Sequence, residues 1–260
     1  MLLAIDIGNT SIHTGVFKGQ ELQAVWHLAT DVHKMVDEYA VVILSLLSHR
    51  GLHPSDIKQA VICSVTPPLV PTFRELCRRY LGVSPLIVEA GVRTGVSILM
   101  DNPREVGPDR IVNAVAGHRL YDGPLIVVDL GTATTFDVIS EKGDYLGGAI
   151  APGIKIATEA LFQRTARLPR VDLVRPKHVI GRDTVSAMQS GIIFGYAGLI
   201  EGLVGRIQQE LGSKKARVIA TGGYAELLAR ETKVIEIVDP HLTLVGLRII
   251  HELNSGEKHA

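Results

Sequence analysis

The sequence predicts an α/β protein built from two copies of one unit, each a central mixed sheet flanked by helices, with a cleft between the copies. Three observations carry that prediction. An apolar, β-branched run that ends in Asp-x-Gly occurs twice, as Leu3-Ala4-Ile5-Asp6-Ile7-Gly8-Asn9-Thr10 and as Val127-Val128-Asp129-Leu130-Gly131-Thr132-Ala133. The two runs stand close to half the length of the 260-residue chain apart. After each comes the same succession of alternating segments and amphipathic helices, the mark of a duplicated unit rather than a solenoid. A chain of this length can bury two cores of about 100–150 residues each. The break falls in Gly117–Gly123, dividing the chain into 1–118 and 119–260.

Residues 2–7 read as a buried strand. The Gly8-Asn9-Thr10 turn leads to a second strand at 12–17 and a third at 23–30, an antiparallel meander. Apolar residues at helical spacing (Val36, Ala40, Ile43, Leu44, Leu47) predict a helix over 35–49. A buried strand at 60–64 is stopped by Pro67, Pro68 and Pro71, and a helix at 72–80 and a short strand at 86–88 follow. The polar, proline-containing segment 97–110 leads into a helix with Ile111, Val112, Val115 and Ala116 on one side. The second meander occupies 125–130, 134–140 and 144–150, with Gly147–Gly153 as a tight apolar turn. Helices at 154–163, 183–211 and 241–253 and a strand at 217–220 complete the chain, and the tail Asn254–Ala260 is expected to fray.

Basic and acidic residues number 27 each, which speaks against a nucleic-acid partner, because such proteins carry a basic excess. An aromatic content of 5% gives little support to a base-stacking surface. Cys63 and Cys77 lack the spacing of a zinc site and read as core thiols in a reducing compartment. The first apolar run is short and contains Asp6, unlike a secretory signal, and no unbroken apolar stretch of about 18 residues marks a membrane span. The expectation is a cytoplasmic protein with neither membrane nor nucleic acid as partner.

A buried strand that delivers a carboxylate to a sharp turn needs a partner for it, since an unpaired buried charge is costly. A metal ion or its water is one such partner, and the turn's own amides are another. Glycine beside each Asp lets backbone N–H groups approach a phosphate, and Asn9, Thr10 and Thr132 add donors. Two copies favour a bound nucleotide over two incidental turns. Thr221-Gly222-Gly223, between a strand and an apolar helix (Ala225, Leu227, Leu228), offers bare backbone to a flat ligand such as adenosine. Gly107-Pro108-Asp109-Arg110 fits either a plain helix start, with Asp109 capping Ile111 or Val112, or an acid held beside a guanidinium. Arg104-Glu105 fits a solvated loop pair better than a substrate clamp. P-loop, dinucleotide, zincin and nucleophile-elbow patterns are absent. Gly191, Gly195, Gly198, Gly202 and Gly205 recur at spacings of four, three, four and three, a bare stripe on one helix. Each interior glycine costs about 1 kcal/mol against alanine, so another backbone must come close, either this chain's own sheet or a second subunit.

Five segments, in order, carry a specific resemblance: Asp6-Ile7-Gly8-Asn9-Thr10, Gly107-Pro108-Asp109-Arg110, Asp129-Leu130-Gly131-Thr132-Ala133, Gly147–Gly153, and Asp239-Pro240-His241-Leu242-Thr243-Leu244. Together they resemble type III pantothenate kinases, members of the acetate and sugar kinase, Hsc70 and actin superfamily, over essentially the whole chain. The resemblance implies duplicated ribonuclease H-like (actin-like ATPase) domains. It implies ATP-dependent phosphorylation of pantothenate to 4'-phosphopantothenate, the first step of coenzyme A biosynthesis. Asp6, Ile7, Gly8, Asn9, Thr10, Ser11, Ile12 and His13 then correspond to the first phosphate-binding turn, with Asp6 near Mg²⁺ through water. Asp129 corresponds to the ligand of a monovalent cation, K⁺ or NH4⁺, and Thr132 to a contact with ATP phosphates. Gly107, Pro108, Asp109 and Arg110 correspond to the pantothenate segment, with Asp109 as catalytic base and Arg110 suited to the pantothenate carboxylate or to pairing with Asp109. Thr184 corresponds to a pantothenate contact, offered from the partner of a homodimer.

One position departs from the family pattern. Tyrosine usually precedes the Asp-Asn-Pro stretch and lines the pantothenate pocket; here Met100 keeps an apolar wall and loses the hydroxyl. That departure keeps a kinase of another small hydroxy acid in view. A non-enzymatic nucleotide-binding regulator on the same fold is the other alternative, opposed by the presence of Asp109. An actin- or Hsc70-like polymer or chaperone needs subdomains that this chain is too short to hold.

Overall fold

The computed structural model describes residues 1–212 and 216–256. The chain divides into two compact units, one of Met1–Val96, Asp101–Ala116 and the segment from Leu242 onward, the other of Ser97–Met100 and Gly117–His241. In the first, strands β1 (Leu2–Ile7), β2 (Ser11–Lys18) and β3 (Glu21–Ala29) form the meander, followed by helix α1 (Val36–His49), β4 (Gln59–Ser64), α2 (Leu69–Tyr80) and β5 (Leu86–Ile87). The sheet order is β3-β2-β1-β4-β5, with β1 antiparallel to β2 and parallel to β4. Helix α3 (Pro108–Leu120) starts in this unit.

The second unit repeats the plan. Strands β6 (Leu125–Leu130), β7 (Ala133–Ile139) and β8 (Tyr145–Pro152) are followed by α4 (Ile154–Arg164), α5 (Thr184–Glu210), β9 (Arg217–Thr221), α6 (Ala225–Ala229) and β10 (Ile237–Val238). The order β8-β7-β6-β9-β10 matches the first sheet strand for strand. The first strand of each unit has the same exposure along its length: four buried residues, a half-buried Asp, then a buried residue. Helices cover both faces of the sheet, so the apolar run is buried and only the carboxylate near its end emerges.

Helix α7 (Leu242–Ser255) belongs with the first unit, which corrects a division at 118/119. Leu2, Ala4, Val61 and Cys63 on one sheet face pack with Val112 and Val115 of α3 and Leu247 and Ile250 of α7. A Cβ on Gly246 would collide with the carbonyl oxygen of Val112 and stand 2.7 Å from its Cγ1, so α7 crosses α3 at backbone contact. Leu3, Ile5 and Ile7 face the other way, onto Tyr39, Ile43 and Phe73. The second unit has its own core, with Ile126, Val128 and Phe136 against Ile193, Ile200 and Val204 of α5.

Other expectations also change. Helix α2 starts at Leu69, so Pro71 lies in its first turn, where a missing N–H loses no helical bond. The stretch Gly147–Gly153 is mostly strand: β8 runs to Pro152, and only Gly147, at φ 115°, leaves ordinary geometry, beside a register shift at Val138/Ile139. Helix α5 is long and apolar enough to cross a membrane by length and composition, with a mean hydropathy of 1.3, so the absence of such a stretch does not hold by that measure. Its residues Met188, Ile192, Tyr196 and Ile200 are nonetheless core of the second unit. Asn254 does not fray: its amide donates to the carbonyls of Arg93 and Ile250 at 2.8 and 2.7 Å. Residues 257–260 of the expected tail lie outside the described residues.

Candidate active site

Asp6, the last residue but one of β1, is in register with His13 on β2 and Cys63 on β4, so these three side chains share one sheet face. The turn that follows is tight. The Gly8 N–H donates to the Ser11 carbonyl at 3.0 Å, and a Cβ on Gly8 would stand 2.9 Å from that oxygen. The Gly8 carbonyl accepts the Thr30 hydroxyl at 2.7 Å and the Thr66 hydroxyl at 3.2 Å, which ties the turn to the ends of β3 and β4. Thr66 also reaches the Asn9 side-chain oxygen at 3.3 Å. Ser11 Oγ lies 3.0 Å from His13 Nε2, and the His13 ring meets His27 edge-on with centroids 4.5 Å apart. Ile7 and Ile12 are fully buried in the first core and anchor the turn from below. Thr10 contributes its carbonyl to the Thr30 N–H at 3.1 Å.

Asp109 is the second residue of α3, half-buried, in the same unit. A Cβ on Gly107 would stand 2.5 Å from its Oδ1, so glycine leaves room for the carboxylate. Asp109 does not cap Ile111 or Val112; its Oδ1 accepts the Arg110 N–H at 2.9 Å, while the N–H groups of Arg110 and Ile111 bond to the Gly107 carbonyl at 3.1 and 3.3 Å. Burial pushes the Asp109 carboxyl above its ordinary value, against the smaller opposing pull of the Arg110 amide and guanidinium. Burial also raises the Cys63 thiol, followed by the charges of Asp6 and then Asp109. One buried thiol therefore lies within electrostatic reach of both carboxylates. Arg104 and Glu105 sit on an exposed single turn, where Glu105 accepts the Asn102 amide at 2.7 Å, as a loop pair does.

In the second unit Asp129, the last residue but one of β6, is in register with Thr135 and Thr221. The Gly131 N–H donates to the Ala133 carbonyl at 3.0 Å, closing a shorter version of the first turn. Two glycines brace it, neither assigned that role from sequence. Gly222, at φ 91°, packs against Asp129: a Cβ there would stand 2.6 Å from Asp129 Oδ1 and 2.7 Å from the Leu130 carbonyl carbon. A Cβ on Gly153 would fall on the Thr132 carbonyl oxygen and 2.6 Å from that of Gly131. Gly153 is the N-cap of α4, so the positive end of that helix lies against the turn. A Cβ on Gly223 would meet nothing within 4 Å.

Met100 is half-buried in the second unit. Thr184 starts α5 and borders a largely apolar groove of about 660 Å³ with Leu161, Met188, Ile192 and Tyr196. Among the described residues no three of His, Cys, Asp or Glu converge to hold a metal. One carboxylate per turn suits ions that keep most of their ligands as water or phosphate oxygen, as Mg²⁺ does.

Two sheets of one strand order, each with an Asp-x-Gly turn at the carboxyl end of a strand beside a parallel neighbour, define a duplicated actin-like ATPase and sugar kinase fold. The same fold is found in the activator of the 2-hydroxyisocaproyl-CoA dehydratase from Clostridium difficile, which covers 100% of this chain and 98% of that one, with a TM-score of 0.57 and 15% identity. The family model for type III pantothenate kinase matches residues 2–206. The type III pantothenate kinase of Dehalococcoides mccartyi is 55% identical over 255 residues, covering 98% of each chain. That of Moorella thermoacetica is 54% identical over 255 residues, covering 98% of this chain and 100% of its own. The chain belongs to the type III pantothenate kinase family.

Proposed function

We propose that this chain transfers the terminal phosphoryl group of ATP to the primary hydroxyl of pantothenate, giving ADP and 4'-phosphopantothenate, the first step of coenzyme A biosynthesis. The observation that carries the chemistry is a pair of half-buried carboxylates in the first unit, Asp6 in register with Cys63 near the end of β1 and Asp109 packed over Gly107 at the start of α3. Phosphoryl transfer needs positioning and charge neutralisation more than covalent help. The turn at Asp6–His13 supplies amides to phosphate oxygens, and Thr132 contacts ATP phosphates. Asp109 takes the proton of the acceptor hydroxyl as the bond to phosphorus forms, a contribution of about 10²–10⁴-fold. Arg110 grips the pantothenate carboxylate, Gly107 and Pro108 shape the segment, and Met100 and Thr184 line the acceptor's place.

Asp6, through water, is the residue to hold Mg²⁺, and Asp129 the one to hold K⁺ or NH4⁺; when bound, these ions offset the charge of the triphosphate. Asp129→Asn is expected to abolish the stimulation of turnover by K⁺ over Na⁺ while the protein stays folded. A variant with the wild-type K⁺ response removes Asp129 from that role. The founding test is ADP release by the wild-type protein with pantothenate, run in Na⁺ and then in K⁺. Release that does not depend on pantothenate refutes the acceptor.

The reading includes a homodimer in the cytoplasm. Both cysteines are free and buried, which suits a reducing compartment. Support for the dimer comes from α5. A Cβ on Gly191, Gly195, Gly198, Gly202 or Gly205 would meet nothing within 4 Å, so packing on this chain's own sheet does not explain the stripe. Each costs about 1 kcal/mol of helix stability, and close approach of a second copy accounts for keeping them. Gly198→Leu is expected to give a folded monomer by light scattering and circular dichroism; a dimer that persists at micromolar concentration rejects this face.

A further inference from the structure

We propose that Asp137 and Tyr145 are positioning residues that fix the Met100 side chain and thereby the affinity for the acceptor. The proposal rests on the reading in which Met100 lines the pantothenate pocket. Asp137 is fully buried in β7, where a carboxylate is costly unless its oxygens are satisfied. One oxygen accepts the Tyr145 hydroxyl at 2.8 Å and the other the Thr135 hydroxyl at 3.2 Å. Tyr145, also fully buried, opens β8. A carboxylate that grips two hydroxyls selects one orientation for the tyrosine, which apolar packing alone does not.

The Tyr145 backbone carries that orientation outward. Its N–H donates to the Ser97 carbonyl and its carbonyl accepts the Leu99 N–H, both at 2.8 Å, with Ile98 bridged to it in parallel. These bonds hold Ser97–Met100, a short segment of the second unit whose flanking residues Val96 and Asp101 belong to the first. Met100 follows directly, and its Cγ lies 3.9 Å from where a Cβ on Gly147 would stand. The edge of the second sheet is thus the seat of Met100, and Asp137 fixes that edge through Tyr145.

Steady-state kinetics of Tyr145→Phe, with pantothenate and ATP varied separately, test the proposal. Losing the hydroxyl is expected to raise KM for pantothenate about five- to tenfold, the worth of one buried hydrogen bond. KM for ATP and kcat should stay within about twofold, the pattern of lost acceptor binding. In a Met100→Ala background, itself raised in pantothenate KM, the same change should add less than about twofold, because the wall it positions is gone. Asp137→Asn keeps an oxygen for the hydroxyl and should retain most of the wild-type KM, whereas Asp137→Leu should not. An unchanged pantothenate KM in Tyr145→Phe, a parallel rise in both KM values, or additivity with Met100→Ala overturns the proposal. An unchanged KM in Met100→Ala alone removes Met100 from the pocket, and the proposal with it, yet leaves the kinase assignment standing.

Discussion

Replacing Asp109 with asparagine is expected to leave the fold intact and to lower turnover more than about a hundredfold. The substitution keeps the shape and the Oδ1 that accepts the Arg110 N–H at 2.9 Å, so the start of α3 is preserved. What is lost is the ability to take a proton. Burial raises the Asp109 carboxyl above its ordinary value, which brings its basicity closer to that needed near neutral pH. The same shift sets the sign of its effect on stability. A carboxyl whose folded value is raised binds its proton more tightly in the native state, so its contribution is favourable below the unfolded value and is lost as pH rises through the folded one. At neutral pH the ionised, desolvated group therefore costs stability, and Asp109→Asn should melt no lower than the wild type there. The advantage should vanish in acid. In the wild type, the acid limb of kcat/KM should lie above the ordinary carboxylate range and track the same group. Near-normal turnover in a folded Asp109→Asn protein would remove Asp109 as base, and a Tm clearly below wild type at pH 7 would contradict the desolvation account.

How much of this was legible in the sequence depends on whether a residue's role is set along the chain or across space. Strands β1 and β6 are visible because burial on both faces demands an unbroken apolar run, and a carboxylate at its end stands out against it. The repeat of strand order follows from those two runs and the meanders after them. Chain order alone places α7 with the second half, and an amphipathic pattern does not say which sheet its apolar side covers; the contact of Gly246 with Val112 does. Pro71 reads with Pro67 and Pro68 as part of the stop after β4, ahead of a helix from 72, yet the first turn of a helix tolerates proline and α2 begins at Leu69. The glycines of 147–153 looked like a turn because composition cannot separate a glycine that bends the chain from one that admits a neighbour. Asp137 is not legible as a buried group, since an aspartate in an alternating strand reads as solvent-facing, whereas in the fold the Tyr145 and Thr135 hydroxyls close over it. The five motif segments were legible as a set, and their order along the chain carried more than any one of them.

Gly153→Ala should be the most damaging single methyl in the second unit. The added carbon would fall on the carbonyl oxygen of Thr132 and 2.6 Å from that of Gly131. Both obstacles are backbone, so no side-chain rotation relieves them. Either α4 moves away from the turn or the turn moves away from α4. The first course strips the helix N-terminus from the loop, and the second shifts Thr132 from where phosphate oxygens would meet it. A displacement of about 1 Å in a positioning group can cost on the order of 10²-fold in rate, and overpacking adds about 1–3 kcal/mol of destabilisation. The expected result is a protein with native far-ultraviolet circular dichroism, a lower Tm, and kcat/KM for ATP reduced about a hundredfold. The selectivity of the loss separates a displaced phosphate turn from general damage. If Thr132 is the group displaced, KM for ATP rises while binding of pantothenate, measured calorimetrically without nucleotide, stays close to wild type. Wild-type ATP kinetics in Gly153→Ala would mean that the turn yields without consequence, and that Thr132 does not hold the nucleotide.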